Sequence, residues 1–534
     1  MTDSENTTTD AQKQRLPTSV ASYREAVESA RSGRDLLDAL IEPHDAARLV
    51  PQLPTGDLHH YLHRIGIHDA DGVLALASGE QVRGILDAEV WTGDDLSVER
   101  IDPWLGALMT AGPEVLGEHL LALDDSLLNW IVRRSVKVIV VEDPDSFDPP
   151  DVEHVVTPDN GLCICFPESA PRDLPVKIFL DWLMRENSAF CMNLLVFSSA
   201  ALDGNLQEDA YRWRSGRMAD RGYVDYYEAL PIYTAPRPGQ VDAARLPTAD
   251  DPPAPSRWLR PLGPKDGRFD AAFRALAPQD AEQVQTSLGY AANMALSADR
   301  VELWDEDGQL AVLNRLRAGI SLGLHLLAGA DADPEKDAEV LTQNTVSFVF
   351  RTGYGALLDT VRLLRRVTRD GLLASEAGKT LAVDLSPLKP WAEPLTGRHP
   401  MAPDDTTPST AEALAECRLR AEQLAALGRV AGTSRPPEVG LGTWLFTSLT
   451  RDLLGIDGAE PLDRAQVSQA HQAFFVDGDF RPEVMEAAPL WWARIGGTRA
   501  DLLEMLLDEA RQQLASVATG SLDARFFDLW WVKR

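Results

Sequence analysis

Apolar residues recur at helical spacing over most of the chain. The stretch 270–296, DAAFRALAPQDAEQVQTSLGYAANMAL, is one clear case. In the N-terminal part, Asp45, Asp57 and Asp69 lie twelve residues apart, and each precedes a short apolar block, at 46–50, 58–65 and 70–77. Aspartate suits a helix start, where it accepts hydrogen bonds from free amides at the positive end of the dipole. Pro51, Pro54, Gly66 and Gly79 mark the junctions. Helices this short are unstable alone in water, so they must stack on one another. The pattern changes after 134. Val136–Val141 is a β-branched run, and Leu162–Phe166, behind a turn at Asp159-Asn160-Gly161, is a second strand candidate. Phe190–Phe197 fits a strand or a buried helix equally well.

Helical patterning returns at 268–376. A helix over 410–427 is expected from a capping box of Ser409 and Glu412, with Gly428 as its stop. Another is expected over about 499–518, capped by Thr498. The closing Phe526-Phe527 and Trp530-Trp531 are too apolar to stay in water and should dock on the body. The predicted fold is mainly α: an N-terminal helical superhelix, a small α+β insert with a short antiparallel sheet, and a C-terminal helical domain. The expected divisions are a disordered tail at 1–16, stacked short helices at 17–134, and an α+β region with an Arg/Tyr helix pair at 135–234. A proline-rich linker at 235–267, a helical domain at 268–395, a second linker at 396–409 and a C-terminal helical region at 410–534 complete the chain. Its 534 residues exceed what one hydrophobic core supports.

Charge narrows the function classes. Lys+Arg is 51 against Asp+Glu 82, a formal net charge of −31. Such a surface repels nucleic-acid phosphates and anionic lipid heads. The expected partner is therefore a protein, with no membrane and no nucleic acid, and a small anion is the alternative ligand. Only eight of the 51 basic residues are lysine, a bias that reads as genome composition. The N-terminus lacks the basic start and apolar core of a signal peptide. The best apolar stretch, Leu310–Ala330, is interrupted by Asn314, Arg315 and Arg317 and is expected to be a buried helix pair. Four irregularly spaced cysteines make no disulfide framework. These features together predict a cytoplasmic protein.

The most unusual segment is Asp209–Tyr233, DAYRWRSGRMADRGYVDYYEALPIY, with five of the nine tyrosines. On a helix, Tyr211, Arg214, Met218 and Arg221 share one face, with Gly222 as the stop. Asp225 and Glu228 mark the next helix, and Pro231 ends it. The candidate cluster is Tyr211, Arg214, Arg217, Asp220, Arg221, Tyr226, Tyr227 and Glu228. Guanidiniums and phenols together bind a carboxylate or phosphate, or they form a structural knot with nearby acids. No nucleophile with a base accompanies them, so no catalytic residue is assigned.

Other candidates are weaker. His59 and His63 are four apart on a predicted helix, compatible with a shared metal, yet HExxH is absent and a solvated helix face is the simpler expectation. Asp45, Asp57 and Asp69 would suit magnesium but are read as caps. Cys163 and Cys165 face one way on a strand, and with Cys191 could hold a soft metal; core packing is the expectation. No metal and no cofactor is assigned. GxSxG, a complete P-loop and GxGxxG are absent; the closest approach, Gly371–Thr380, has Leu373 where a P-loop needs glycine. Arg362, Arg365, Arg366 and Arg369 form a basic stripe expected to pair within the chain.

Two resemblances carry further expectations. Residues 43–87, PHDAARLVPQLPTGDLHHYLHRIGIHDADGVLALASGEQVRGILD, resemble the superhelical N-terminal domain of MgtE-type magnesium transporters, whose repeats are related to those of the flagellar motor switch protein. Extended to the whole stacked-helix stretch at 17–134, that resemblance covers about a fifth of the chain. It implies a helical-repeat fold, and in the transporter acidic residues of this domain help sense magnesium. Since no transmembrane domain accompanies it here, the fold is carried over and transport is not. The stretch 210–230 resembles a hallmark AYRWRSxRxADxGxxDYYEAL of an uncharacterised bacterial family of about this length, with no assigned activity. The resulting expectation is a non-enzymatic interaction or regulatory protein with a helical-repeat binding surface. The alternatives are a binder or enzyme for a small anion at the Arg/Tyr segment, and a soluble divalent-cation sensor.

Overall fold

The computed structural model describes residues 20–143, 145–157, 161–166, 174–221, 223–237, 267–302, 305–365, 369, 388–431, 439–476, 479–514 and 529–533. The tail at 1–16, most of the proline-rich linker, Gly222, the turn residues Asp159 and Asn160, Arg366, Gly371–Thr380 and Phe526-Phe527 lie outside them. The chain is mainly α. Among the described residues, strand is confined to one three-stranded antiparallel sheet and two short hairpins. It divides into two compact units, one of residues 1–226 with 299–309, the other of 227–298 with 310–534.

The first unit is a stack of short helices: Val20–Glu28, Gly33–Ile41, Thr55–Ile65, Gly79–Glu89, Val98–Ala111, Pro113–Leu121 and Asp125–Ser135, then Leu174–Glu186, Ser188–Ala200 and Asp203–Asp220. Capping boxes start two of them, Ser32 with Asp35 and Ser78 with Gln81. Gln81 also donates its side-chain amide to the carbonyls of Val50 and Leu53, both at 2.8 Å, closing groups that the 50–53 turn leaves open. The Asp45–Asp57–Asp69 register does not mark three equivalent caps. Asp45 turns to Arg48 and Asp69 lies in a 3₁₀ turn. Asp57 is buried in the first turn of its helix and pairs with Arg24 at 2.5 Å. Trp182 stacks on the backbone of Gly117, where a Cβ would meet the ring at 2.3 Å.

The expected division at 134 does not separate two cores. One apolar cluster runs from Tyr23 through Trp104 and Trp130 to Phe179, Leu195 and Ala210. The strands behave as their composition requires. Lys137–Val140 and Glu153–Val156 flank the central Leu162–Phe166, with Lys137 opposite Cys165 and Glu153 opposite Phe166. Every residue of the central strand is buried, and Glu153–Val156 is exposed throughout, which is why no apolar alternation announced it. Phe190–Phe197 is helical.

In the second unit, Arg268–Ala275 packs on Pro334–Gln343 through Arg268, whose guanidinium grips the buried Asp337 with two 2.7 Å bonds. Glu306–Ala328 is one helix, not a pair. It is long and apolar enough to cross a bilayer by length and composition, and 56% of its apolar window is buried. The Val346–Val361 helix crosses it at a glycine contact. A Cβ on Gly353 would lie 2.1 Å from the Gly319 carbonyl oxygen, and one on Gly323 would lie 2.0 Å from the Val349 carbonyl oxygen. Ala411–Ala431 runs through Gly428 because nothing there demands a left-handed turn; Thr410, not Ser409, caps it by accepting from the Ala413 amide. The helices Leu441–Leu454, Arg464–Phe474, Pro482–Arg494 and Ala500–Leu514 close around Phe446, Phe474 and Trp491. Trp530 docks there as expected, its ring 5.6 Å from Phe446 and its indole N–H bonded to the Thr450 hydroxyl at 2.8 Å.

The glycine crossing yields a test. Gly353→Ala drives a methyl into backbone that cannot swing aside, so it should lower stability by about 3 kcal/mol. Gly56→Ala, where a Cβ meets nothing, should not. Chemical denaturation of the two variants checks this.

Candidate functional site

The carboxyl end of the Gly79–Glu89 helix carries Asp87 and Glu89, both buried. A helix C-terminus is the negative end of the peptide dipole, and two carboxylates there require cations or proton donors around them. Two sets of side chains supply these.

The first set comes from the Asp203–Asp220 helix. Arg217 grips Asp87 in a fork, Nε to Oδ2 and Nη2 to Oδ1, both 2.7 Å, and Nη2 also reaches Asp124 at 3.0 Å. Burial lowers its pKa, but the bonds and charge of Asp87 and Asp124 outweigh this and raise it. Arg214 donates to the Asp87 backbone oxygen at 2.7 Å while its guanidinium lies over Trp91, 5.1 Å from the ring centre. Burial pushes Arg214 below its ordinary range, against the pull of Asp87. Arg221 donates to the Gly84 carbonyl at 3.2 Å, and a Cβ on Gly84 would displace this guanidinium, meeting its Nη2 at 2.2 Å. Tyr211 donates to Asp225 at 2.5 Å; burial and that bond push its hydroxyl up to about 12.

Of the predicted face of Tyr211, Arg214, Met218 and Arg221, the two arginines turn to the Gly79–Glu89 helix, and Arg217, which is outside that predicted face, joins them there. Tyr226 sits under Arg300, 4.0 Å from ring centre to guanidinium. Asp220 is exposed, and Tyr227 and Glu228 are exposed residues of the second unit. Asp225 accepts from the Tyr211 hydroxyl. Each of the three guanidiniums has at least one donor engaged by Asp87, Asp124 or a main-chain carbonyl.

The second set comes from the Thr55–Ile65 helix, and here the expected solvated face is corrected. His59 and His60 are each 2% exposed. His59 Nε2 lies 2.6 Å and His63 Nε2 2.8 Å from the same oxygen, Glu89 Oε1. Burial raises the Glu89 carboxyl, but the bonds from His59 and then His63 outweigh it and hold it at about 2. Arg100 donates to the Glu89 carbonyl at 3.2 Å and to Glu302 at 2.7 Å. His60 Nε2 is 2.9 Å from Glu306 Oε1. Trp104 lies beside both rings of the His59–His63 pair, 6.4 and 6.2 Å away. The four-residue histidine spacing was visible in the sequence. Asp87 and Glu89 carried no signal, since their partners are distant in the chain.

Cys163 and Cys165 pack with Val141, their sulfurs 3.8 Å apart, and burial raises the Cys163 thiol to about 11. Cys191 belongs to the main core instead, facing the Leu180 carbonyl. The three cysteines do not converge.

Residues 11–533, almost the whole chain, match the model of a family described as a family of unknown function, DUF6178. No curated protein matches, and no solved structure matches.

Two measurements probe this region. Arg217→Ala leaves Asp87 buried without its fork and should cost about 3 kcal/mol; Arg212→Ala, an exposed pairing on the same helix, should cost under about 1 kcal/mol. Thermal melts resolve the difference. The second concerns pH. Glu89 has a depressed carboxyl pKa, so its contribution is complete above 4.5 and is lost as pH falls toward 2. The stability gap between the wild type and Glu89→Gln, measured with a chelator present, should be roughly 3 kcal/mol near neutrality and close over that window. A gap that does not change with pH would contradict the assigned pairing.

Proposed function

We propose that this chain, which belongs to the DUF6178 family, is a non-enzymatic interaction or regulatory protein whose first unit presents an apolar docking face to another protein. The carrying observation is the Ser188–Ala200 helix. Its inner side, Cys191, Leu194, Leu195 and Ser198, is buried. Its outer side carries exposed apolar residues around Asn193: Phe190 is 40%, Val196 47% and Phe197 59% exposed, with Phe190 and Phe197 seven residues apart on one face. Leu202, at the bend into the next helix, and Trp213 beyond it are exposed as well. Large apolar side chains left in water on the outer side of a helix whose inner side is buried mark a surface suited to a partner.

Chemistry narrows the occupant. Exposed Asp181, Glu186, Asp203, Glu208 and Asp209 flank the strip in sequence, against the exposed Arg185 and Arg212. Both arginines already pair with acids of their own helices. An acidic border repels anionic lipid heads and nucleic acid. The helix has 13 residues, short of a span, and the bend of 113° that follows breaks any continuation. A second copy using the same face would set acid against acid across a two-fold contact. The occupant is therefore a different protein with an apolar patch bordered by basic residues. Against the anionic-ligand alternative stands the engagement of Arg214, Arg217 and Arg221 by groups of the chain itself.

A photoreactive amino acid at Phe197, in cells that naturally make the protein, should yield one dominant crosslinked protein. Phe190→Asp should abolish that adduct while the melting temperature is kept. The same probe at Glu80, exposed on another helix, should give none. Absence of an adduct at Phe197, adducts equal to those at Glu80, or crosslinking only to a second copy would sink the reading.

A further inference from the structure

We propose that His59, His63 and Glu89 form a binding site for one divalent transition-metal ion of the zinc class. His59 and His63 stand one turn apart on a single helix face, so their rings project side by side, centroids 5.0 Å apart. Each presents Nε2 to the same carboxylate oxygen, at 2.6 and 2.8 Å. All three ligand atoms lie within 4.8 Å of one another. Neutralising one buried carboxylate needs one donor; two imidazoles meeting at a single oxygen describe a coordination corner.

The dimensions fit. Zinc takes nitrogen and carboxylate oxygen at about 2.0–2.2 Å, which at tetrahedral angles sets neighbouring ligand atoms about 3.3 Å apart. Opening the present corner by roughly half an ångström inserts the ion, and small side-chain rotations suffice for that. Two imidazoles and a carboxylate are a borderline ligand set that suits zinc, cobalt or nickel, whereas magnesium and calcium require oxygen ligands. This distinguishes the site from the acidic magnesium-sensing arrangement implied by the N-terminal resemblance. On binding, each imidazole offers its Nε2 lone pair, keeping its remaining proton on Nδ1, and any further proton leaves to solvent. Three protein ligands leave a fourth position for water or a partner's side chain.

The surroundings favour a cation. The site sits at the negative end of the Gly79–Glu89 helix, and Arg100 pins the Glu89 carbonyl in place. Trp104 shields one side, and the His63 side chain, 19% exposed, gives the ion a way in. The net charge of −31 draws cations to the surface.

The test uses the full-length chain, stripped with a chelator and titrated with Co2+, then Zn2+. One equivalent of Co2+ should produce the intense visible absorption of four- or five-coordinate cobalt, and Zn2+ should abolish it by displacement. His63→Ala, at the least buried ligand, should weaken Zn2+ binding by about 100-fold or more, since even outer-shell losses cost 10–100-fold. Its metal-free melt should remain cooperative but fall, since Glu89 keeps the bond to His59 and loses that to His63. Cys163→Ser and Cys191→Ser should leave the cobalt spectrum unchanged. Wild-type protein that shows no cobalt band and no calorimetric Zn2+ binding overturns the proposal without any variant. So does a band that survives both His63→Ala and Glu89→Gln, or one lost with the cysteines. The docking reading at Phe197 is independent of all these outcomes.

Discussion

Two carboxylates buried at the negative end of one helix impose the arrangement of the first unit. Asp87 and Glu89 cannot stay ionised there without compensation, and the chain provides it from opposite directions in sequence. Arg214 and Arg217 arrive from more than 120 residues downstream, His59 and His63 from about 30 upstream. The hydrophobic core would tolerate many registers of the surrounding helices, because apolar contact is non-directional. The forked Arg217–Asp87 contact tolerates one. It thereby fixes the Asp203–Asp220 helix against the Gly79–Glu89 helix, and with it the angle at which the apolar Ser188–Ala200 helix is carried.

The second unit repeats the device. Arg268 forks onto Asp337, which is 1% exposed, and adds bonds to the carbonyls of Gly329 and Asp331. This revises the meaning of the arginine bias. Composition alone reads as a property of the genome, but Arg217 and Arg268 do what lysine cannot: a planar fork meets both oxygens of a carboxylate at once. Among the buried acids, Asp87 and Asp337 are each met by a guanidinium fork, Asp57 by a contact from Arg24, and Glu89 by two imidazoles.

What the sequence disclosed follows from range. Local periodicity identified the helices, the strands at 137–140 and 162–166, and the shared face of Tyr211, Arg214 and Arg221, because each depends on residues within a turn or two. The strand at Glu153–Val156 escaped because both its faces meet water and it has no alternation to read. Ser409 and Gly428 misled because a helix in contact with neighbours overrides weak local stop signals. The burial of His59 and its junction with Glu89 were invisible for a different reason. Spacing of four places two rings side by side, but whether water or a carboxylate faces them depends on another helix 30 residues away.

The histidine corner and the arginine fork then differ in one respect that matters for function. The fork is already matched: Nε and Nη2 of Arg217 meet both oxygens of Asp87, and Nη2 also reaches Asp124. The corner has two imidazoles and one carboxylate oxygen, a ratio that a proton satisfies and a dication satisfies better, since it bonds all three atoms at once. Both stand on the same helix end, two residues apart. The fork joins that helix end to the Asp203–Asp220 helix, whereas the corner joins it to the Thr55–Ile65 helix.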